Sequence, residues 1–516
     1  MTNGMAHPQI QTRLRTVRNF TSLDALLDDV LLRVLQYVDV EDILALRLTC
    51  KRLLALCRLP AVWRHRAIRH DHSYSESFPT ERHLLGPVLR TAPCLWRLCL
   101  KFPPAEECRE LPFDTTRCAV AHLTVVMEGD DILSGDNWTP TVCRLIRNQE
   151  ALGRLRHLEL LLAPLAPVYI KRPHVILATA MRTSRLESLA ICGFPTCYEL
   201  PLFIRRTSVR HPPYRTLWMS PLTSFHCDLQ TVDGRLRNLI LQKNAATLEE
   251  VILTSESTFL VRGDVPDSWI LENFPLSGEG TAALLARMPR LATLMCPPLE
   301  GIEAVADNKS IRKVSFAMEA EWKRRLAGAA EFLRRATQLR EVMIYADTAD
   351  AVNLVTSLAS SGQARVEKLC LEDTCASTSF VSVAPLVSAL PRLRNLQELY
   401  LDHCVARDEL LLAIHPETAP ALRRFNICDV RSCPHSWMHK KAVEALVVAN
   451  PSLHVHLDFP VCGSGYPLCP CCAETSCHPE LRSGRPHRVG LYSHARGQCS
   501  SPKSHQSASL LVWFRF

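Results

Sequence analysis

The sequence predicts an α/β protein in which a short N-terminal helical module precedes a long series of alternating strands and helices. Two patterns carry this prediction: amphipathic helices over residues 23–63, and a six-residue apolar pattern that returns twelve times between residues 95 and 427. The chain has 516 residues, of which 47% are hydrophobic and 22% are charged. This composition is typical of folded globular proteins and excludes a wholly disordered chain.

The net charge and the lack of targeting signals in the sequence limit the cellular compartments and the classes of binding partner that we expect. The formal net charge is +8, which over this length does not indicate nucleic acid as a ligand. The first twenty residues are polar and basic, and no apolar run approaches the roughly 18 residues of a membrane helix. We therefore expect a cytoplasmic or nuclear protein that binds neither nucleic acid nor a membrane. Its 22 cysteines are then expected to be free thiols, mostly buried.

The helical module is predicted over residues 22–68, after a disordered lead over 1–21. Its first helix carries aliphatic side chains at helical spacing, which places them on one face. They are Val30, Leu31, Val34, Leu35 and Val38. Asp28 and Asp29 occupy the first turn, where negative charge suits the helix dipole. Asp39 is the expected cap of a second helix, and a third is expected up to Cys57.

The order and spacing of this module resemble an F-box. The positions that carry the resemblance are Leu26 to Leu31, Val34, Leu35, Val38, Asp42, Ile43, Cys50 to Arg52 and Trp63. Leu27 stands where the family usually has a proline, so we expect a looser start of the first helix, and Thr49 stands where it usually has a valine. An ordinary helical hairpin packed on its own domain is the alternative.

The F-box resemblance implies a docking function. Proteins of this family bind the Skp adaptor of a cullin–RING ubiquitin ligase through this module, while the ligase chemistry resides on other subunits. The adaptor-binding residues that it implies are Leu26, Val30, Leu31, Val34, Leu35, Val38, Ile43, Leu46, Cys50 and Trp63.

The repeated pattern is apolar-x-x-apolar-x-apolar, and its mean period is about 30 residues, as in leucine-rich repeats. The units begin at residues 95, 120, 155, 186, 222, 248, 291, 311, 339, 366, 396 and 422. Slots four and six of each unit should point into the core. Slots three and five, and the residue that follows the unit (slot seven), should face out. Segment 236–241 also fits the template, but we assign it to a helix. An insertion is expected between 248 and 291, where the spacing is widest. A last strand is expected at 454–458.

Module and repeats together resemble the F-box family whose substrate domain is a leucine-rich-repeat horseshoe, with a concave parallel sheet and convex helices. We place the solenoid at 95–460, a linker helix at 69–94 and a disordered tail at 461–516. The implied function is that of the substrate-recognition subunit of an SCF-type E3 ubiquitin ligase. The alternatives are a repeat scaffold without a ligase, whose N-terminal helices only cap the solenoid, and, more weakly, an enzyme with zinc in the tail.

The outward slots of the last four repeats form one continuous patch if the strands pair in order. The substrate-binding residues predicted there are Glu341, Met343, Tyr345, Glu372, Glu398, Tyr400 and Asp402. Its acids outnumber the bases Lys368 and Arg424 by two, on a basic chain. We therefore expect a basic or aromatic segment of a protein substrate to dock here.

Motifs for catalysis are not found in the sequence. It contains no P-loop, dinucleotide fingerprint, nucleophile elbow or HExxH motif, so we expect no enzymatic activity and no cofactor. The tail contains one CxxC pair, Cys469 and Cys472, but no clearly spaced second pair. No metal site is therefore predicted.

Overall fold

The computed structural model describes the chain in segments. They are residues 26–69, 82–102, 111, 113, 115–127, 138–162, 173–193, 221–229, 234–254, 280–318, 324–362, 365–373, 383–402, 406–428, 437–458, 488–494, 499 and 511–515. Contacts divide the chain into two compact units: residues 1–160 with 168–185, and residues 161–167 with 186–516. The predicted N-terminal lead lies outside the described residues.

The first unit combines the helical module with the first repeats. Its helices are α1 (Asp28–Leu35), α2 (Val40–Leu46), α3 (Lys51–Cys57), α4 (Pro60–Trp63), α5 (Arg82–Thr91), α6 (Thr139–Ala151) and α7 (Pro173–Ala180). Its strands are β1 (Ala67–Arg69), β2 (Cys94–Phe102), β3 (Ala119–Met127) and β4 (His157–Leu162). The strands follow chain order, and β2 pairs in parallel with both β1 and β3.

The boundary between the module and the repeats differs from the prediction. Strand β1 begins at Ala67, inside the predicted F-box, and pairs with β2. Ile68 of β1 and Trp63 of α4 are both fully buried. The sheet therefore starts about one repeat earlier than residue 95, and helix α5 occupies part of the predicted linker. The three-residue strand β1 was missed because it carries no six-residue repeat pattern.

The second unit continues the strand–helix alternation. Its strands are β5 (Ser188–Cys192), β6 (Ser224–Asp228), β7 (Glu250–Thr254), β8 (Thr293–Cys296), β9 (Lys313–Ala317), β10 (Glu341–Ala346), β11 (Lys368–Asp373), β12 (Glu398–Asp402), β13 (Arg424–Cys428), β14 (His454–Asp458), β15 (Arg488–Tyr492) and β16 (Leu511–Arg515). Its helices are α8 (Gly234–Lys243), α9 (Thr281–Ala286), α10 (Leu326–Arg335), α11 (Thr348–Ser360), α12 (Ala384–Ala389), α13 (Asp408–Ala413) and α14 (Lys441–Ala449). Short 3-10 helices cover Ile302–Asp307 and Leu390–Arg392.

The repeat prediction is confirmed strand by strand. Each of the twelve units contains a strand, β2 to β13, and the expected last strand is β14. Slots four and six point into the core: Val342 and Ile344 of β10, for example, are fully buried. Segment 236–241 lies in helix α8, as predicted. Residues 255–279, where the insertion was expected, lie outside the described residues.

The prediction that the whole tail is disordered is wrong for its two described strands. Strand β15 pairs antiparallel with β14, and β16 pairs in parallel with β15. Val489 and Leu491 of β15 are fully buried, because they continue the core side of the sheet. The CxxC pair, Cys469 and Cys472, lies outside the described residues.

The described cysteines behave mainly as small apolar side chains. Cys99, Cys192 and Cys370 are buried, as predicted. Burial raises the pKa of Cys118 and of Cys227 to about 12, so both remain protonated near neutral pH. The longest described helices have 13 residues, and none of the described helices is long and apolar enough to cross a membrane.

Candidate functional site

The apolar face of α1 is divided between the interior and the surface. Leu31 and Leu35 point inward and are 3% and 2% exposed. Ile43 of α2 and Trp63 of α4 are fully buried. These four side chains form the module's own core, and their contact with an adaptor stays a prediction. They hold α1 in place within the module.

A second set of apolar side chains on α1 and its flanks faces solvent. These are Leu27, Val30, Val34 and Tyr37, exposed by 73%, 44%, 45% and 83%. Their spacing of three, four and three residues places them on one side of the helix. We call these four residues the docking stripe. Leu48, 77% exposed between α2 and α3, is a further exposed apolar side chain of the module. Such a concentration of exposed aliphatic and aromatic side chains is typical of an interaction surface.

The remaining residues of the predicted docking set are half-buried or exposed. Leu26, Val38 and Leu46 are half-buried. Cys50 is exposed, and its Sγ accepts a hydrogen bond from the backbone N–H of Leu53 at 3.4 Å, which caps helix α3. Sequence reasoning missed Leu27, Tyr37 and Leu48, although the spacing of Leu27 and Tyr37 relative to Val30 and Val34 was visible in the sequence.

Arginine side chains fasten the helices of the module to one another. Arg52 of α3 donates to the carbonyl of Leu26 at 2.5 Å and forms a hydrogen bond of 2.8 Å with Asp28. Arg66 donates to the carbonyl of Leu35 at 2.7 Å, at the C-terminal end of α1. Cations suit that end of a helix, because its last carbonyls lack intrahelical partners. Both ends of α1 are thus held by arginines.

The two departures from the F-box pattern do not disturb the backbone. Leu27 precedes α1 with φ of −64°, which is the value that a proline would impose. The loss of proline therefore leaves the backbone angle at the start of α1 unchanged. The hydroxyl of Thr49 donates to the carbonyl of Leu46 at 2.7 Å, so it satisfies a carbonyl at the end of α2.

The second candidate surface is the sheet face of the second unit that carries slots three, five and seven. We call this the open face. The register aligns Glu341 with Lys368, Lys368 with Glu398 and Glu398 with Arg424 in a first row. A second row contains Met343, Cys370 and Tyr400, and Tyr345 and Glu372 are neighbours in a third. The predicted patch is therefore assembled as expected, with Asp402 at the end of β12.

The charges of the open face differ from the predicted excess of acids. Glu341 lies 3.4 Å from Lys313, a base on β9 that the predicted patch did not include. Glu398 lies 3.9 Å from Lys368 and also pairs with Arg424. The first row borders a groove of about 370 Å³. Its lining residues are Arg312, Lys313, Arg340, Glu341, Glu367, Lys368, Gln397 and Glu398. Adding Lys313 reduces the excess of acids over bases in the predicted patch from two to one, so the electrostatic preference for a basic ligand is weaker than predicted.

Aromatic and sulfur-containing side chains lie beside this charged row. Met343, Tyr345 and Tyr400 are half-buried, so each presents part of its surface to solvent. Burial, reinforced by the charge of Glu372, raises the pKa of Tyr345 to about 12, so its phenol stays neutral near neutral pH. Burial also raises the pKa of Cys370, which acts as a protonated, weakly polar neighbour. This part of the open face favours apolar and hydrogen-bonding contacts.

A polar cluster on the first unit was not foreseen from the sequence. Glu159 accepts hydrogen bonds from Arg97 at 2.9 Å and from Thr124 at 2.7 Å, and its other oxygen lies 2.8 Å from Nε2 of His122. Burial alone would raise the pKa of Glu159, but these partners outweigh it and hold the pKa at about 2. The carboxylate therefore braces three neighbouring strands. His122 occupies an outward slot, as predicted, but it is engaged rather than merely solvated.

Comparison with known proteins identifies the module but not the whole chain. Residues 23–65 match the F-box domain. The comparison with curated protein sequences found no match. Among solved structures, the crystal structure of a TLR13–ssRNA13 complex is similar at 14% identity and a TM-score of 0.29, too low to bear on fold or function. That match covers 71% of this chain and 48% of the other, so this chain spans about half the neighbour's length. Residues 23–65 thus form an F-box domain, followed by strand–helix repeats of the leucine-rich type.

Proposed function

We propose that the protein is the substrate-recognition subunit of an SCF-type E3 ubiquitin ligase. In this proposal the docking stripe binds the Skp adaptor, which connects the chain to a cullin, and the open face binds a target protein. The observation that carries the proposal is the F-box domain at residues 23–65, whose folded helices leave Leu27, Val30, Val34 and Tyr37 exposed. An apolar stripe of this kind gains free energy when a partner removes it from water.

The chain itself is proposed to be non-catalytic and to act in the cytoplasm or nucleus. The proposal of a non-catalytic chain is supported by the sequence, in which no P-loop, dinucleotide fingerprint, nucleophile elbow or HExxH motif is found. A target bound on the open face would be presented to ligase subunits supplied by the rest of the complex.

The substitution Val34→Asp tests the adaptor contact. Val34 is 45% exposed, so the folded chain should tolerate a carboxylate there, whereas the adaptor interface would bury that charge without a partner. We expect adaptor affinity to fall by roughly 30- to 700-fold, since truncating or mispairing an interface anchor costs roughly 2–4 kcal/mol. The measurement is co-purification with the Skp adaptor and cullin, followed by titration calorimetry.

The matched control is Val448→Asp, which makes the same change at a 60% exposed valine of helix α14. It should leave adaptor binding unchanged. If Val34→Asp folds normally and binds the adaptor as tightly as the wild type and the control, the proposed docking stripe is wrong.

A repeat scaffold without a ligase is the second candidate. It is favoured by strand β1, which follows directly after the helical module and pairs with β2, so the module covers the start of the repeats. A capping role of this kind is common at the ends of repeat arrays. The two candidates differ in one result: only the ligase subunit co-purifies with both adaptor and cullin.

A further inference from the structure

A group of potential metal ligands lies at the C-terminal end of the second unit. His454 is the first residue of β14, His494 follows β15, and Cys499 follows five residues later. The three residues can each offer one ligand atom, and these atoms all lie within 4.8 Å of one another. His454 and His494 are 5% and 7% exposed, and Cys499 is half-buried. Residues 45 positions apart in the chain are thus brought together by the antiparallel pairing of β14 with β15.

The distances fit a tetrahedral zinc centre. Sγ of Cys499 lies 3.4 Å from Nε2 of His454. Zinc bonds of about 2.3 Å to sulfur and 2.0–2.1 Å to nitrogen, at a tetrahedral angle, separate the two ligand atoms by about 3.5 Å. One edge of the coordination tetrahedron is therefore already formed. The ligand atom of His494 lies within 4.8 Å of both other ligand atoms.

The tautomer of His494 is set by the backbone. Nδ1 of His494 lies 2.8 Å from the carbonyl oxygen of Pro451. Because a carbonyl only accepts, Nδ1 carries the proton, and Nε2 is the nitrogen whose lone pair can bind a metal. A hydrogen bond from the far nitrogen to a carbonyl is the usual way in which proteins orient a ligating imidazole.

Aromatic rings enclose the two imidazoles. The rings of His454 and His494 meet edge to face at 5.1 Å, and Tyr492 lies 4.9 Å from His494. Trp513 of β16 lies 5.7 Å from His454. The indole reaches this position because Gly490 has no side chain: a Cβ there would lie 2.3 Å from the Trp513 ring. Such packing restricts the imidazoles to few orientations, so their ring nitrogens are oriented before a metal ion binds.

We propose that His454, His494 and Cys499 bind a zinc ion that fastens strands β15 and β16 to the last repeat. Two imidazoles and a thiolate suit zinc, whereas magnesium and calcium require oxygen ligands. On binding, the ion replaces the proton of the Cys499 thiol, which is released to solvent. The fourth position is open to water or to a ligand from a partner. The proposal does not depend on the ubiquitin-ligase function.

The test compares the zinc content of purified full-length variants after dialysis against a fixed low concentration of free zinc. His454→Gln, His494→Gln and Cys499→Ser should each hold one zinc ion fewer per chain than the wild type. The control His456→Gln, on the same strand but outside the ligand group, should keep the wild-type content. The double variant Cys469→Ser with Cys472→Ser should keep this ion as well.

Two further measurements keep the test decisive if a variant folds poorly. Cobalt bound to the wild type should show a thiolate-to-cobalt charge-transfer band, which Cys499→Ser removes. Chelation should lower the melting temperature of the wild type, and added zinc should restore it. The weakening of zinc affinity in each ligand variant should exceed the roughly 10- to 100-fold typical of losing an outer hydrogen bond. Wild-type protein that binds no zinc, or that loses it only in the Cys469, Cys472 variant, would overturn the proposal.

Discussion

Glu159 shows how much one side chain on a repeat can contribute. It joins β4 to Arg97 of β2 and to His122 and Thr124 of β3. Its pKa in the folded chain, about 2, lies below the ordinary value of 4.5. Folding therefore favours the ionised form, and the stabilisation is fully present above about pH 4.5 and is lost as the pH falls toward 2.

The substitution Glu159→Gln tests this contribution. Near neutral pH it should lower the free energy of unfolding by on the order of 2 kcal/mol, because the amide cannot compensate Arg97. The difference between wild type and variant should shrink as the pH falls from neutral to about 3, which chemical denaturation at several pH values would show. Glu331→Gln is the control: Glu331 also has a lowered pKa, from Arg334, but the pair lies at the surface and its loss should change little.

Gly490 tests the packing of the last strands at a single position. Gly490→Ala should destabilise the chain by roughly 1–3 kcal/mol, because the new Cβ meets the Trp513 ring. In a Trp513→Ala background the same change should be neutral or stabilising, since alanine restricts the unfolded chain. A double-mutant cycle from denaturant titrations measures the coupling. Equal costs in both backgrounds would mean that Trp513 does not lie over Gly490.

At the scale of elements, α1 shows what hydrophobic spacing can and cannot predict. The helix and its apolar stripe follow from the sequence, but the side of the stripe that faces inward does not. That side is decided by packing against α3 and α4, which leaves Leu31 and Leu35 inside and Val30 and Val34 outside. Strands β15 and β16 were missed for a related reason. Strand β15 lacks the six-residue repeat pattern and pairs with β14, which ends about 30 residues before it in sequence. Strand β16 was missed although residues 511–516 fit the pattern; its partner is β15, which ends about 20 residues before it.

Deleting residues 461–516 should now destabilise the second unit. The deletion removes β15 and β16 and uncovers the edge of β14, with loss of the buried Val489 and Leu491. We expect the melting temperature to fall by several degrees, as measured by calorimetry.

A shorter deletion separates the strands from the segment that precedes them. Removing 464–484 leaves both strands in place, so it should have a much smaller effect than the full truncation. An unchanged melting temperature after the full truncation would show that the two strands add nothing to the fold, as the sequence alone had suggested.

On the scale of the whole molecule, the two units carry different surfaces. The docking stripe belongs to the first unit, and the open face with Tyr345 and Tyr400 belongs to the second. Adaptor binding and target binding should therefore be separable by mutation. This is the property that the proposed function requires of a substrate-recognition subunit.

The triple variant Tyr345→Ala, Tyr400→Ala, Asp402→Lys tests this separation. It should lose its specific target proteins in proximity labelling while it binds the adaptor normally, because aromatic anchors dominate such interfaces. Val34→Asp should give the reverse result. An unchanged set of labelled proteins in the triple variant, with adaptor binding intact, would place target recognition elsewhere.

The sequence predicted the repeat strands because their periodic leucines determine the inward slots locally. The charge of the open face was mispredicted because the patch was limited to the last four repeats: Lys313, which pairs with Glu341, occupies slot three of the repeat before them. The sequence could not predict the His454, His494 and Cys499 group, which depends on an antiparallel pairing that no local motif encodes. Structural features that repeat along the chain could be predicted from the sequence. A side-chain group that forms only once, between segments far apart in sequence, could not.

The reversal of direction at β15 also bears on self-association. An open parallel sheet ends in an unpaired strand on which a further copy of the chain could continue in the same direction, and head-to-tail stacking of this kind generates filaments. In the part of the chain that the structure describes, the terminal strand is β16, which runs opposite to β5–β14. A second molecule cannot extend the parallel repeat from that strand without reversing its own orientation. A copy in the same orientation could meet this edge only in antiparallel pairing, so the parallel ladder of the repeats ends with the molecule's own β14.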